Sequence, residues 1–106
     1  MQQVKAHLLN EAVERLAKEF NPEKIILFGS HAWGTPRADS DIDLFIIVKS
    51  AVLPPTQRAT KAYRCLQGLK IPAEIIVSTQ QEVEAFRSVP SSLTRKILEK
   101  GKVVYG

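Results

Sequence analysis

The chain has 106 residues, 44% of them apolar and 25% charged, and 15 Lys and Arg residues against 11 Asp and Glu give a net charge of +4. These values are typical of a folded globular protein and exclude a disordered chain, so we predict a single domain over residues 1–106. Cys65 is the only cysteine, which excludes an internal disulfide. No apolar run reaches the roughly 20 residues that span a bilayer, and we expect a cytoplasmic protein without membrane association.

The positive charges are spread along the sequence. A mildly basic domain can bind nucleotides, nucleic acid or an acidic protein. The sequence has no arginine-rich block, and its aromatic residues do not alternate with basic ones. This distribution argues against direct nucleic-acid binding.

The first third of the chain predicts a helix followed by a strand. Apolar residues recur at three- and four-residue steps over residues 4–20, which indicates an amphipathic helix ending near Phe20. Asn21-Pro22 breaks the helix. The continuous apolar run at residues 24–28 predicts a short buried strand.

A glycine-containing turn and a second strand follow. Gly29 ends the first strand, and Ser30 is predicted to N-cap a brief helical turn over residues 31–33. A polar loop is expected at residues 37–40. The second strand is predicted from Asp41 to about Val48.

The second half of the chain also predicts helices that alternate with strands. Residues 55–69 predict a helix with proline in its first turn, and residues 73–78 predict a third strand. Residues 79–82 match a capping box for a further helix, in which Val83 and Phe86 would face inward. A last short helix would be closed by Gly101 at its C′ position, before a terminal strand or tail. This order predicts a small α/β or α+β domain.

Two acids stand at the start of the second strand. Side chains at i and i+2 of a strand share a face, so Asp41 and Asp43 would lie about 7 Å apart on one face. Close like charges beside apolar sequence favour a divalent cation that neutralises them. The Gly29-Ser30 turn could hold phosphate through its backbone N–H groups.

These residues carry a family resemblance. Gly29-Ser30, followed after ten residues by Asp41-Ile42-Asp43, resembles the GS…DxD signature of the DNA polymerase β nucleotidyltransferase superfamily. More narrowly, the chain resembles the minimal nucleotidyltransferase (MNT) family over nearly its whole length. The resemblance implies a small nucleotidyltransferase fold, with a mixed β-sheet flanked by helices.

The resemblance also implies roles for individual residues. Asp41 and Asp43 would be catalytic residues and ligands of Mg²⁺, and Gly29 and Ser30 would contact the phosphates of ATP. Glu74, on the third strand, would be the third carboxylate, acting as metal ligand and base. The family more often has aspartate there, and the glutamate side chain is one methylene longer.

Minimal nucleotidyltransferases of this kind are similar to antitoxins that are paired with HEPN-domain ribonuclease toxins. The resemblance therefore implies AMP transfer from Mg-ATP to a tyrosine hydroxyl of such a toxin, within a hetero-oligomer. Two alternatives remain open. The chain could neutralise the partner by occlusion without catalysis, or it could modify a small hydroxylated molecule.

Several other side chains have two interpretations each. Trp33 could stack on a base or pack beneath its loop. Arg37 could reach a triphosphate or remain solvated. Tyr63 could accept a nucleotide itself, or simply pack or lie exposed. The cations Arg58, Lys61 and Arg64 could form a solvated face or a partner surface.

Overall fold

A computed structural model describes residues 2–34 and 41–106 of the chain. The predicted polar loop at residues 37–40, with Arg37, lies outside this range. Within it, no helix is long and apolar enough to cross a lipid bilayer. The elements are α1 (Gln2–Phe20), β1 (Lys24–Phe28), α2 (Ser30–Trp33), β2 (Ile42–Val48), α3 (Pro55–Cys65), β3 (Ala73–Thr79), α4 (Gln80–Arg87), α5 (Leu93–Lys100) and β4 (Lys102–Tyr105).

The four strands form one mixed sheet in the order β3-β2-β1-β4. β1 is antiparallel to both of its neighbours, β2 and β4, whereas β2 and β3 are parallel and are connected through α3. Two parallel strands can be joined only by a crossover connection of about a dozen residues or more, and a helix usually provides it. The predicted class, a small α+β domain with a mixed sheet flanked by helices, is confirmed.

Helices cover both faces of the sheet, because the central strands are apolar on both sides. On one face, α1 and α3 pack on the sheet around fully buried Leu16 and Leu44. On the other face, α4 and α5 pack on it around Phe45 and Ile97. Alternate residues of β2 thus contribute to two different cores.

The helix ends follow the local sequence in most places. Asn21 ends α1 with a positive φ of 46°, and Pro55 occupies the first turn of α3. The predicted capping box is present, since the side chains of Thr79 and Glu82 each accept a hydrogen bond from the other residue's backbone N–H.

Two predictions about α4 and α5 are wrong. Phe86 is 51% exposed, because the last turn of α4 leads directly into a turn at residues 88–92 and only Val83 of this helix is buried. Gly101 closes α5, but it is the C-cap residue and not C′, and its φ of −72° is not the left-handed conformation that is typical of C′. The reason for glycine is space, since an added Cβ would lie 2.5 Å from Cγ2 of Ile26.

Arg58 is buried rather than part of a solvated face or partner surface. Its side chain is 8% exposed and forms an ion pair with Glu82, at 2.8 Å from Nη1 to Oε1. The guanidinium also donates to the carbonyl oxygens of Leu53 and Val77, at 2.6 and 3.1 Å. Arg58 therefore connects the segment before α3, the outer edge of β3 and the start of α4.

Candidate functional site

The strand register brings two of the predicted acids side by side. Asp43 in β2 is paired with Phe28 at the end of β1 and with Glu74 at the start of β3. Residues paired in register point to the same face of a sheet. This is the face of the Phe45 core, because Phe45 follows Asp43 by two residues.

Asp41 lies just outside the strand. β2 begins at Ile42, one residue later than predicted, and the Ile42 N–H donates to the carbonyl oxygen of Pro72 at 2.9 Å. Asp41 and Glu74 are exposed, whereas Asp43 is half-buried. The three acids thus lie at the same end of β2 and β3, with Asp43 between β1 and β3.

The electrostatics of Asp43 reflect this crowding. Burial raises the pKa of the Asp43 carboxyl above its ordinary value of 3.8, and the charges of Glu74 and Asp41 raise it further. His31 acts in the opposite direction and lowers it. Asp43 is therefore a carboxylate that a nearby cation would stabilise.

Gly29 brings the chain against this carboxylate. It has a φ of 77° and a ψ of −155°, a conformation that is essentially restricted to glycine. A Cβ at this position would overlap with Oδ2 of Asp43. Only glycine therefore allows the turn to pass so close to the acid.

The turn is capped differently from the prediction. Gly29, not Ser30, is the N-cap of α2, and its carbonyl oxygen accepts hydrogen bonds from the N–H groups of Ala32 and Trp33. Ser30 is the first helical residue, and no side-chain cap bond is formed at this end. The Gly29-Ser30 pair nevertheless lies beside Asp43, as a phosphate-binding turn would require.

Trp33 packs at the end of α2. Its ring centroid lies 6.1 Å from that of Phe28, and Nζ of Lys96 lies 4.8 Å from the indole centroid. These contacts support the packing interpretation of Trp33 over base stacking. Nothing in the sequence indicated the contact with Lys96, because α2 ends at residue 33 and α5 begins only at residue 93.

The donor chemistry suits a hard divalent cation. Carboxylate oxygens are the ligands that Mg²⁺ prefers. Burial, and after it the charges of Glu74 and Asp41, raises the pKa of the Asp43 carboxyl, and a cation beside it would oppose both effects. As the side chains stand, no group of three or more His, Cys, Asp or Glu residues among residues 2–34 and 41–106 is arranged to hold a metal ion. The carboxylates therefore have the right chemistry for the cation. To coordinate it together, the exposed side chains of Asp41 and Glu74 would have to rotate.

An apolar cavity of about 280 Å³ lies at the opposite end of the sheet. Phe20, Val48 and Leu53 line it, together with the stem of Arg58. Val48 is the last residue of β2, whereas the acids are at its start. This cavity contains none of the predicted site residues.

A sheet covered by helices, with acids at one strand end beside a glycine turn, defines a nucleotidyltransferase-type domain. Comparison with known proteins agrees. The family described as "Polymerase beta, Nucleotidyltransferase" matches residues 10–106, and the chain belongs to this family.

One solved structure is similar to the chain at 28% sequence identity and a TM-score of 0.60. It is the crystal structure of a protein from Sulfolobus solfataricus that is provisionally described as a nucleotidyltransferase. The similarity covers 74% of this chain and 70% of that chain. The comparison with curated proteins gave no match.

Proposed function

We propose that this protein transfers AMP from Mg-ATP to a tyrosine hydroxyl of a HEPN-domain ribonuclease, and thereby acts as its antitoxin. The observation that carries the proposal is the register that pairs Asp43 with both Phe28 and Glu74. This register brings Asp43, Glu74 and the turn after β1 to one end of the sheet, where Asp41 lies just before β2. Nucleotidyl transfer requires the phosphates of the nucleotide and the attacking hydroxyl to meet beside such a cluster of acids.

Asp41 and Asp43 would hold Mg²⁺, with Glu74 as the third carboxylate. The cation supplies charge neutralisation for the phosphates and for the developing negative charge. Gly29 and Ser30 would contact the phosphates, because the turn passes directly beside Asp43. These residues orient the α-phosphate for in-line attack.

Glu74 would act as the base. The tyrosine oxygen forms a bond to the α-phosphorus, the bond to the bridging oxygen of the β-phosphate breaks, and pyrophosphate leaves with the electron pair. The phenol proton passes to the Glu74 carboxylate and then to water. The side chain of Glu74 is exposed, which leaves room for the hydroxyl of a macromolecular acceptor.

The acceptor protein would complete the pocket. Asp41 and Glu74 are both exposed, so a partner that docks at this end of the sheet can reach them. The HEPN pairing and the use of ATP are proposed from the resemblance of Gly29-Ser30 and Asp41-Ile42-Asp43 to the minimal nucleotidyltransferases. The cytoplasmic setting is proposed from the single cysteine and the lack of a long apolar run.

The test is neutralisation of the partner's ribonuclease activity by wild type and by Asp41→Asn. We expect wild type with Mg-ATP to silence the ribonuclease and to add one AMP to a partner tyrosine, detected by mass spectrometry. Asp41→Asn should still form the complex but leave the ribonuclease active. Neutralisation by Asp41→Asn at wild-type strength would contradict catalysis.

That last result would favour a second candidate function, in which the chain silences its partner by occlusion. The observation in its favour is Glu74, a glutamate at the position of the third carboxylate, where the family more often has aspartate. Occlusion needs neither ATP nor metal. Removing Mg²⁺ with a chelator should then leave neutralisation unchanged.

A further inference from the structure

The hydroxyl of Tyr63 lies at the strand that carries the candidate base. Tyr63 is in α3, and its phenol oxygen accepts a hydrogen bond from the backbone N–H of Ile75 at 3.0 Å. Ile75 directly follows Glu74 in β3. This hydrogen bond was not predicted from the sequence, because nothing local connects residues that are twelve positions apart.

β3 is an edge strand and needs such a contact. It pairs with β2 on one side only, so the backbone groups that point to its other side have no strand partner. Tyr63 satisfies the N–H of Ile75 on that outer side, and Arg58 satisfies the carbonyl of Val77. Two side chains of α3 thus line the open edge of β3.

The bond to Tyr63 acts on Glu74 through one peptide group. The Ile75 N–H belongs to the peptide unit that follows Glu74, and this unit is planar. Holding this unit restricts rotation about the Cα–C bond of Glu74, and with the β2 side of the residue also held it limits the direction of the Cα–Cβ bond. On the other side, the register with Asp43 fixes the same residue against β2.

Glu74 depends on this support because it lies near the strand end. It is the second residue of β3 and is exposed, so the direction of its Cα–Cβ bond depends on the backbone and not on packing around the side chain. Strand ends open at low free-energy cost unless they are tied down. A base displaced by about 1 Å loses on the order of a hundredfold in rate.

We propose that Tyr63 is a positioning residue, which keeps the Glu74 carboxylate at the acid cluster by fixing the peptide group after it. This inference rests on the proposed function, in which Glu74 is base and metal ligand. Tyr63 itself touches neither nucleotide nor acceptor.

The test is a double-mutant cycle of Tyr63→Phe and Glu74→Gln. Phenylalanine keeps the ring and removes only the hydroxyl. We expect Tyr63→Phe to lower kcat for AMP transfer about tenfold, with KM for ATP changed less than twofold, and to have no further effect in the Glu74→Gln background. Hydrogen exchange of the Ile75 amide should become faster. Tyr105→Phe, at a similarly exposed tyrosine on the opposite edge strand, is the matched control and should match wild type.

A second measurement separates this inference from the proposed function. The affinity for Mn²⁺, followed by calorimetry on the same variants, should fall about tenfold in Tyr63→Phe and no further in the double variant. If wild type transfers no AMP, the proposed function fails, and the Mn²⁺ cycle alone decides the inference. Equal losses from Tyr63→Phe in both backgrounds, an unchanged Tyr63→Phe variant, or no Mn²⁺ binding by wild type would overturn it.

Discussion

Replacing Gly29 with alanine tests the contact on which the site depends. The residue has a φ of 77°, and an added Cβ would overlap with Oδ2 of Asp43. Gly68 is a natural control, because it has a φ of 91° but no atom within 4 Å of an added Cβ. Both alanine substitutions strain the backbone, but only the Cβ added at position 29 overlaps with another side chain, that of Asp43.

The magnitude follows from separating these two terms. Backbone strain costs about 1–3 kcal/mol at either glycine. Forcing an extra methyl into a filled space costs about 1–3 kcal/mol more. We therefore expect Gly29→Ala to lower the free energy of unfolding by about 2 kcal/mol more than Gly68→Ala, and also to weaken Mn²⁺ binding, because relief of the overlap displaces Asp43.

Urea unfolding followed by circular dichroism measures the difference. In an Asp43→Ala background the carboxylate is gone and only the Cβ of residue 43 remains close to an added Cβ at position 29, at 3.3 Å, so most of the difference between the two glycine variants should disappear. Equal destabilisation by Gly29→Ala and Gly68→Ala in the wild-type background, with Mn²⁺ affinity unchanged, would refute the close approach of Gly29 to the carboxylate.

Three further predictions concern charged residues. The pKa of Asp43 is raised above 3.8, so its ionised form destabilises the fold above that pH. Asp43→Asn should therefore raise the midpoint of urea unfolding at pH 7. The gain should vanish well below pH 3.8, where the carboxyl is protonated in both the folded and the unfolded state. Arg58→Met should lower the free energy of unfolding by about 3 kcal/mol, measured by urea unfolding, because the carbonyls of Leu53 and Val77 lose their donor. Hydrogen bonds from Arg58 lower the pKa of Glu82 below 4.5, so the ionised Glu82 stabilises the fold above pH 4.5 and this stabilisation is lost as the pH falls. Glu82→Gln should make the free energy of unfolding less dependent on pH below 4.5. An unchanged pH dependence there would contradict the role of the Arg58–Glu82 pair.

The sequence predicted those features that depend on local pattern. Apolar periodicity placed α1, the runs of β1 and β2 gave buried strands, and the residues at 79–82 gave a capping box that the structure confirms. Each of these signals is contained within a few consecutive residues. The GS…DxD spacing then linked the strands to a family, and residues 10–106 match it.

Contacts between distant segments could not be predicted in this way. Arg58 looked like a surface cation because its partners at Leu53, Val77 and Glu82 are brought to it only by the folded sheet. The N-cap was assigned to Ser30 because serine is a common cap, whereas the close approach to Asp43 requires glycine in that place. The pairing of Asp43 with Glu74 likewise needed the strand order, which periodicity does not contain.

The most direct test of the account is transfer from ATP labelled at the α-phosphate, compared with ATP labelled at the γ-phosphate, in the presence of Mg²⁺ and the partner protein. Nucleotidyl transfer predicts that α-label appears on the partner and γ-label does not, and that Asp43→Asn transfers neither. Label from the γ-phosphate on the partner would show phosphoryl transfer instead. No label from either nucleotide, with the partner still silenced, would contradict an enzymatic role for Asp41, Asp43 and Glu74.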